Sequence, residues 1–135
     1  LRCRYINKLI QYKVDFIREV VLMSIWKFRT ISGIYKINNL ANGKCYIGAS
    51  SDIWKRWISH KSTLNSKSHY NKKLQLDWDN HGSHAFALEL LEEAPKEQLK
   101  EREQYWISST MCFDDRLGYN KQRIAGHSVS KFKPE

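Results

Sequence analysis

At 135 residues, 41% of them hydrophobic and five of them tryptophan, the chain has the size of one domain with a modest core. No apolar run approaches the roughly 20 residues of a membrane-spanning helix, and Lys13, Asp15, Arg18 and Glu19 break up the early apolar residues, so neither an anchor nor a secretory leader is expected. The net charge of +9 fits a polyanionic partner such as DNA, the alternative being a solvated basic face.

That charge is uneven. Residues 1–32 hold seven Lys/Arg against two acids, residues 33–120 twelve against eleven, and residues 121–135 four against one. Within the middle part, residues 41–73 carry seven bases and only Asp52 as an acid, whereas residues 74–103 carry three bases and eight acids. A phosphate backbone would favour the first of these surfaces and the two flanks. Cys3, Cys45 and Cys112 are odd in number, widely spaced and without a Cys-x-x-Cys, so no disulfide framework or structural zinc is expected. A reducing, DNA-containing compartment such as the cytoplasm follows as the expectation.

In chain order, residues 5–21 read as an amphipathic helix with Ile6, Leu9, Ile10, Val14, Ile17, Val20 and Val21 on one stripe. Strands over 32–38 and 44–50 flank Asn42-Gly43, a strong hairpin signal. A two-residue loop there pairs Asn39 with Tyr46 and Tyr35 with Ser50. It sets Tyr35, Ile37, Tyr46 and Gly48 on one face, the glycine leaving room for a ligand. Ser50, Ser51 or Asp52 can cap a helix running to about Leu64. After a Ser/Asn/Lys loop, a short helix begins near Asn71 and stops at Gly82. Phe86, Leu88 and Leu90 alternate as a third strand, and Pro95 opens a helix running to about Ser109. The pattern predicts an α+β fold, a small three-stranded antiparallel sheet flanked by helices with an extra N-terminal amphipathic helix.

Some residues ask for chemistry. Glu103 falls within the apolar arc of Leu99, Trp106 and Ile107, where a carboxylate is costly unless it is paired, for instance with Arg56, or bound to a metal. Arg56 and His60 stand one turn apart at the edge of another apolar stripe. An arginine fork there can hold a phosphate or simply join a salt bridge. A phenol with pKa about 10 is a poor base at pH 7, so Tyr35 reads first as a packed strand tyrosine. His81 and His84 read as loop residues around the Gly82 stop. His69 either touches phosphate or faces solvent. Trp54, Trp57, Trp78 and Trp106 recur at core spacing.

Gly33-Ile34-Tyr35 and Tyr46-Ile47-Gly48, ten residues apart, are followed by the Ser51–Trp57 block, the Glu101–Ile107 block and Gly118-Tyr119-Asn120. Together they resemble the GIY-YIG nuclease family, most of all phage-type homing endonucleases. The resemblance implies a Mg2+-dependent (or Mn2+-dependent) endonuclease that hydrolyses DNA phosphodiester bonds, leaving 5′-phosphate and 3′-hydroxyl ends. It implies Tyr35 as general base, helped by Tyr46 or a neighbouring lysine, and Arg56 as transition-state stabiliser. His60 becomes a supporting group and Glu103 the metal ligand. Lys55, Lys61, His69 and Asn120 become DNA contacts, Asn120 alternatively holding the terminal loop. The implied organisation is a helical extension (1–30), a nuclease domain (31–120) and a basic tail or linker (121–135). No small-molecule cofactor is expected, and the chain is expected to be a monomer. A restriction or repair nuclease of the same family, or a non-catalytic DNA-binding module, stays open. With so little sequence after Asn120, cleavage specificity is expected to be low or to lie outside this chain.

Overall fold

The computed structural model describes residues 8, 10–18 and 30–121. The remainder of the predicted 5–21 helix, Cys3 and the basic tail from residue 122 lie outside the described residues. A helix α1 covers residues 10–18. Then come β1 (Gly33–Asn39), β2 (Cys45–Ser50), α2 (Ile53–Asn65), α3 (Lys72–His81), β3 (Phe86–Glu93) and α4 (Leu99–Thr110). The three strands form one antiparallel sheet in the order β2-β1-β3. Among the described residues no helix is long and apolar enough to cross a membrane.

The helix limits follow local chemistry. Asp52 caps α2 by accepting from the Lys55 N–H at 3.1 Å. Asn71 caps α3 through Leu74 N–H at 3.1 Å, and Gly82 ends it. A 3-10 turn over Lys96–Gln98 follows Pro95 and leads into α4. β3 is longer than its alternating part. A register shift opposite Ile34/Tyr35 leaves Leu91 without a ladder partner, so Leu90 stays on the Tyr35 side while Leu91 and Glu92 both serve the α4 side.

The hairpin differs from the two-residue turn expected for Asn42-Gly43. Its loop has four residues, 40–43, closed by Asn39 N–H on Lys44 C=O at 2.8 Å, with Gly43 at φ +78°. The Asn39 and Asn42 side chains take the Ala41 and Lys44 N–H groups at 2.9 and 3.0 Å, so these amides bond locally instead of extending the ladder. Tyr35 therefore faces Gly48, and Ile37 faces Tyr46, two residues away from the expected register. Because the shift is even, the facial assignment survives: Tyr35, Ile37, Tyr46 and Gly48 share one side.

That side meets α2 and α3 in a core built on Trp57, Leu64, Leu74 and Leu88, while Ile34 and Ile47 on the other side meet Ile107 and Trp106 of α4. The expected opening beside Gly48 is not a ligand space. A Cβ built at Gly48 would sit inside the Tyr35 ring.

One further expectation is corrected. Cys45 and Cys112, 67 residues apart, are joined by a disulfide with Cα atoms 6.1 Å apart, so cysteine spacing no longer argues for a reducing compartment. A parallel bridge between Cys45 and Gly118 draws the 112–120 segment onto β2, which sequence spacing alone does not reveal. In α1, Ile10, Val14 and Ile17 are exposed, whereas Tyr12 is half-buried and meets His84 edge-on at 5.2 Å. The apolar stripe is thus not the side of α1 that meets the domain.

Gly48→Ala tests the close approach. Overpacking against Tyr35 is expected to cost about 1–3 kcal/mol in a denaturant titration, with unchanged slope. No change in midpoint would show that the ring yields freely.

Candidate active site

Five chain segments converge on the tyrosine side of the hairpin. β1 supplies Tyr35, β2 supplies Tyr46, α2 supplies Arg56 and His60, the α2–α3 loop supplies His69 and Tyr70, and α4 supplies Glu103. Tyr35 is only 1% exposed. Its hydroxyl lies 2.7 Å from His60 Nε2, and His60 Nδ1 lies 2.8 Å from His69 Nε2. The Asn71 backbone N–H donates to His69 Nδ1 at 3.0 Å.

These contacts fix every proton in the chain. A backbone amide can only donate, so His69 Nδ1 bears no proton and Nε2 must carry it. His69 Nε2–H then donates to His60 Nδ1, which leaves the His60 proton on Nε2. That N–H donates to the Tyr35 oxygen. His60 is therefore a hydrogen-bond donor to the phenol and has no free lone pair with which to take the phenol's proton.

Burial dominates the electrostatics of both rings. Desolvation, followed by the charges of Arg56 and of His69, pushes the His60 pKa down to about 3. Burial likewise lowers His69, and the charges of Arg56 and Lys72 add to the effect. Desolvation drives the Tyr35 hydroxyl well above its ordinary range, opposed by the nearby Arg56 guanidinium. Tyr46 is raised as well, first by burial and then by the Tyr35 and Tyr70 phenols. Its hydroxyl touches that of Tyr70.

Glu103 is half-buried on α4 and, among the described residues, has no hydrogen-bond or ion-pair partner. Burial raises its pKa, while Arg56 pulls it down. Its charge is felt at both Tyr35 and Tyr46. Although α4 covers the opposite side of the sheet, this carboxylate is close enough to interact with the Arg56 charge. No group of three or more His, Cys, Asp or Glu gathers among the described residues, so a closed protein cage for a metal is not available. A half-buried carboxylate near a guanidinium, without a closed cage, would suit a hard ion that keeps water and other oxygens in its shell.

The four residues expected to contact DNA divide. Lys55 is exposed in a shallow groove with Ser50, Ser51, Arg56 and Ser59. Lys61 turns elsewhere: its Nζ lies 5.8 Å from the Trp54 ring centre and 5.3 Å from that of Trp57. His69 neither touches solvent nor is free for phosphate. It is 1% exposed, stacked on His60 at 5.1 Å, with its backbone N–H bonded to Gln75 Oε1 at 3.2 Å. Asn120 uses both ends of its amide on the backbone of Ile47, each at 2.9 Å, so its geometry is that of a clasp for the terminal loop. In the sequence Asn71 marks only the start of a helix. Its side chain also donates to Tyr119 C=O at 2.6 Å, and no sequence signal marks its part in the histidine chain.

The profile of the GIY-YIG catalytic domain matches residues 31–112. The intron-associated endonuclease 1 of Enterobacteria phage T4 is 42% identical over 78 residues, covering 56% of this chain and 31% of the relative. The chain thus spans about a third of that curated relative's length. Among solved structures, a singly substituted catalytic domain of the intron endonuclease I-TevI superposes with a TM-score of 0.64 at 36% identity, covering 70% of this chain and 97% of that one. The catalytic domain of homing endonuclease I-TevI gives 0.62 at 38% identity, covering 67% and 98%.

The neutral histidines set a pH dependence of stability. Unfolded histidine titrates near 6.5, whereas folded His60 stays neutral down to about 3. Between these values the unfolded chain binds more protons, so stability is complete above about pH 6.5 and falls as the pH drops. The loss from one such site is at most about 1.4 kcal/mol per pH unit. Urea titrations at pH 7 and 4.5 measure it, and His60→Gln should flatten the slope. Equal slopes in the two proteins would place a proton on folded His60.

Proposed function

From the premise that this chain belongs to the GIY-YIG family, we propose that it is the catalytic part of a homing-type DNA endonuclease hydrolysing phosphodiester bonds. The observation that carries this reading is electrostatic. Tyr35, Arg56 and Glu103 come from three different elements and lie within reach of one another's charge.

In the proposed reaction a water molecule attacks phosphorus, the bond to the 3′-oxygen breaks, and that oxygen takes a proton from solvent to leave as the 3′-hydroxyl. Tyr35 receives the water's proton when in its phenolate form. His60 Nε2–H and the Arg56 charge favour that form, and burial opposes it. The Arg56 guanidinium, the one fork-shaped donor of the group, offsets charge on the phosphoryl oxygens. Glu103 would hold a divalent cation of the magnesium type, which supplies Lewis-acid stabilisation of the leaving oxygen when bound. Lys55, exposed beside Arg56, would hold a neighbouring phosphate.

Nicking of supercoiled plasmid tests the reading. Wild type is expected to nick with Mg2+ or Mn2+ and to stop in EDTA. Glu103→Ala and Arg56→Ala should each lose at least about 100-fold in rate. Equal cleavage by all three proteins would refute it, and salt-sensitive binding without cleavage would favour a DNA-binding module. Because burial raises the Tyr35 pKa, the active phenolate grows about tenfold per pH unit. The logarithm of the single-turnover rate should therefore climb with near-unit slope from pH 6 to 9. A plateau beginning near pH 7 would assign the base to another group.

A further inference from the structure

Tyr70 has no part in the chemistry above, yet it sits at the mouth of the site. It is 53% exposed, although one face of its ring stacks on His69 at 4.5 Å and 25°. Its hydroxyl meets that of Tyr46, and its carbonyl accepts from Lys121 Nζ at 3.4 Å. The ring is thus held by one face, its hydroxyl and its backbone, while about half of the residue stays exposed. The Arg56 guanidinium carbon lies 6.0 Å from the ring centre, so a phosphate held by Arg56 brings its own nucleoside within reach of Tyr70.

An exposed, pre-oriented phenol beside a phosphate-binding arginine matches what a nucleobase needs. Stacking asks only for a π-face and loses little freedom when the ring is already fixed. Resting on the nuclease reading, we propose that Tyr70 is a substrate-selecting residue, its open face taking a nucleobase of the strand held at Arg56. A paired base must first leave its duplex stack, whereas an unpaired base does so at low cost. The preferred substrate is therefore DNA with an unpaired base next to the bound phosphate.

The test is binding by fluorescence anisotropy in EDTA, so that nothing is cut. It compares a labelled duplex carrying one unpaired thymine with the same duplex carrying an abasic residue there. Wild type, Tyr70→Phe and Tyr70→Trp are expected to bind the thymine duplex at least about fivefold more tightly than the abasic one. Tyr70→Ser is expected to bind the two within about twofold of each other. Each comparison is a ratio within one protein, so a general loss of stability cancels. A ratio near one for wild type, or a full ratio in Tyr70→Ser, would overturn the proposal. So would loss of the ratio in Tyr70→Phe, which keeps the ring and removes only the contact with Tyr46. Wild type that nicks plasmid but shows no preference refutes the base platform alone. Wild type that neither nicks nor binds removes the nuclease reading and the platform with it.

Discussion

A backbone N–H cannot reverse its direction, and the Asn71 amide imposes that rule on three side chains in series. With His69 Nδ1 held as an acceptor at 3.0 Å, the His69 and His60 protons are both confined to Nε2, and the Tyr35 oxygen becomes the end of the chain. The arrangement works only while both rings are neutral, which their burial secures. Gln75 holds the backbone at that end by accepting from the His69 main-chain N–H and donating to Leu64 C=O at 2.9 Å. The α2–α3 loop is therefore part of the site's wiring and not merely a connection between helices.

The sheet serves the same end by restricting where the phenol can go. Tyr35 lies directly over Gly48 on the neighbouring strand, where any side chain would displace it. Asn120 holds β2 from the outside through Ile47, and Tyr119 beside it donates to Asp77 at 2.5 Å and accepts from Asn39 at 2.9 Å. These bonds tie the terminal loop to the hairpin turn and to α3. Glu103, by contrast, stands half-buried without a hydrogen-bonding partner among the described residues. Burial disfavours its charge and the Arg56 guanidinium favours it.

Much of this was legible in the chain because it depends on local or parity rules. Asp52, Asn71 and Gly82 sit where caps belong, and the helices begin and end there. The facial placement of Tyr35 and Tyr46 survived a mistaken register because four loop residues and two have the same parity. Glu103 was marked by lying on an apolar arc, a local contradiction that functional sites often carry. What stayed hidden depends on long-range closure. Nothing in His69-Tyr70-Asn71 announces that the loop folds back under α2. Lys61 reads as an exposed base until two tryptophans are found beneath its ammonium. The Cys45–Cys112 pair and the Asn120 clasp both require the 112–120 segment to lie along β2. The stripe on α1 is genuine periodicity, but periodicity states which residues are apolar and not which surface they meet.

The most direct test of the account is the tautomeric state of the two imidazoles, read from side-chain nitrogen shifts in long-range proton–nitrogen NMR spectra at pH 7. The account predicts that His60 and His69 are both neutral with the proton on Nε2, and that His60 keeps that pattern as the pH is lowered to 5. A proton on His60 Nδ1, or an imidazolium at either residue at pH 7, would contradict it.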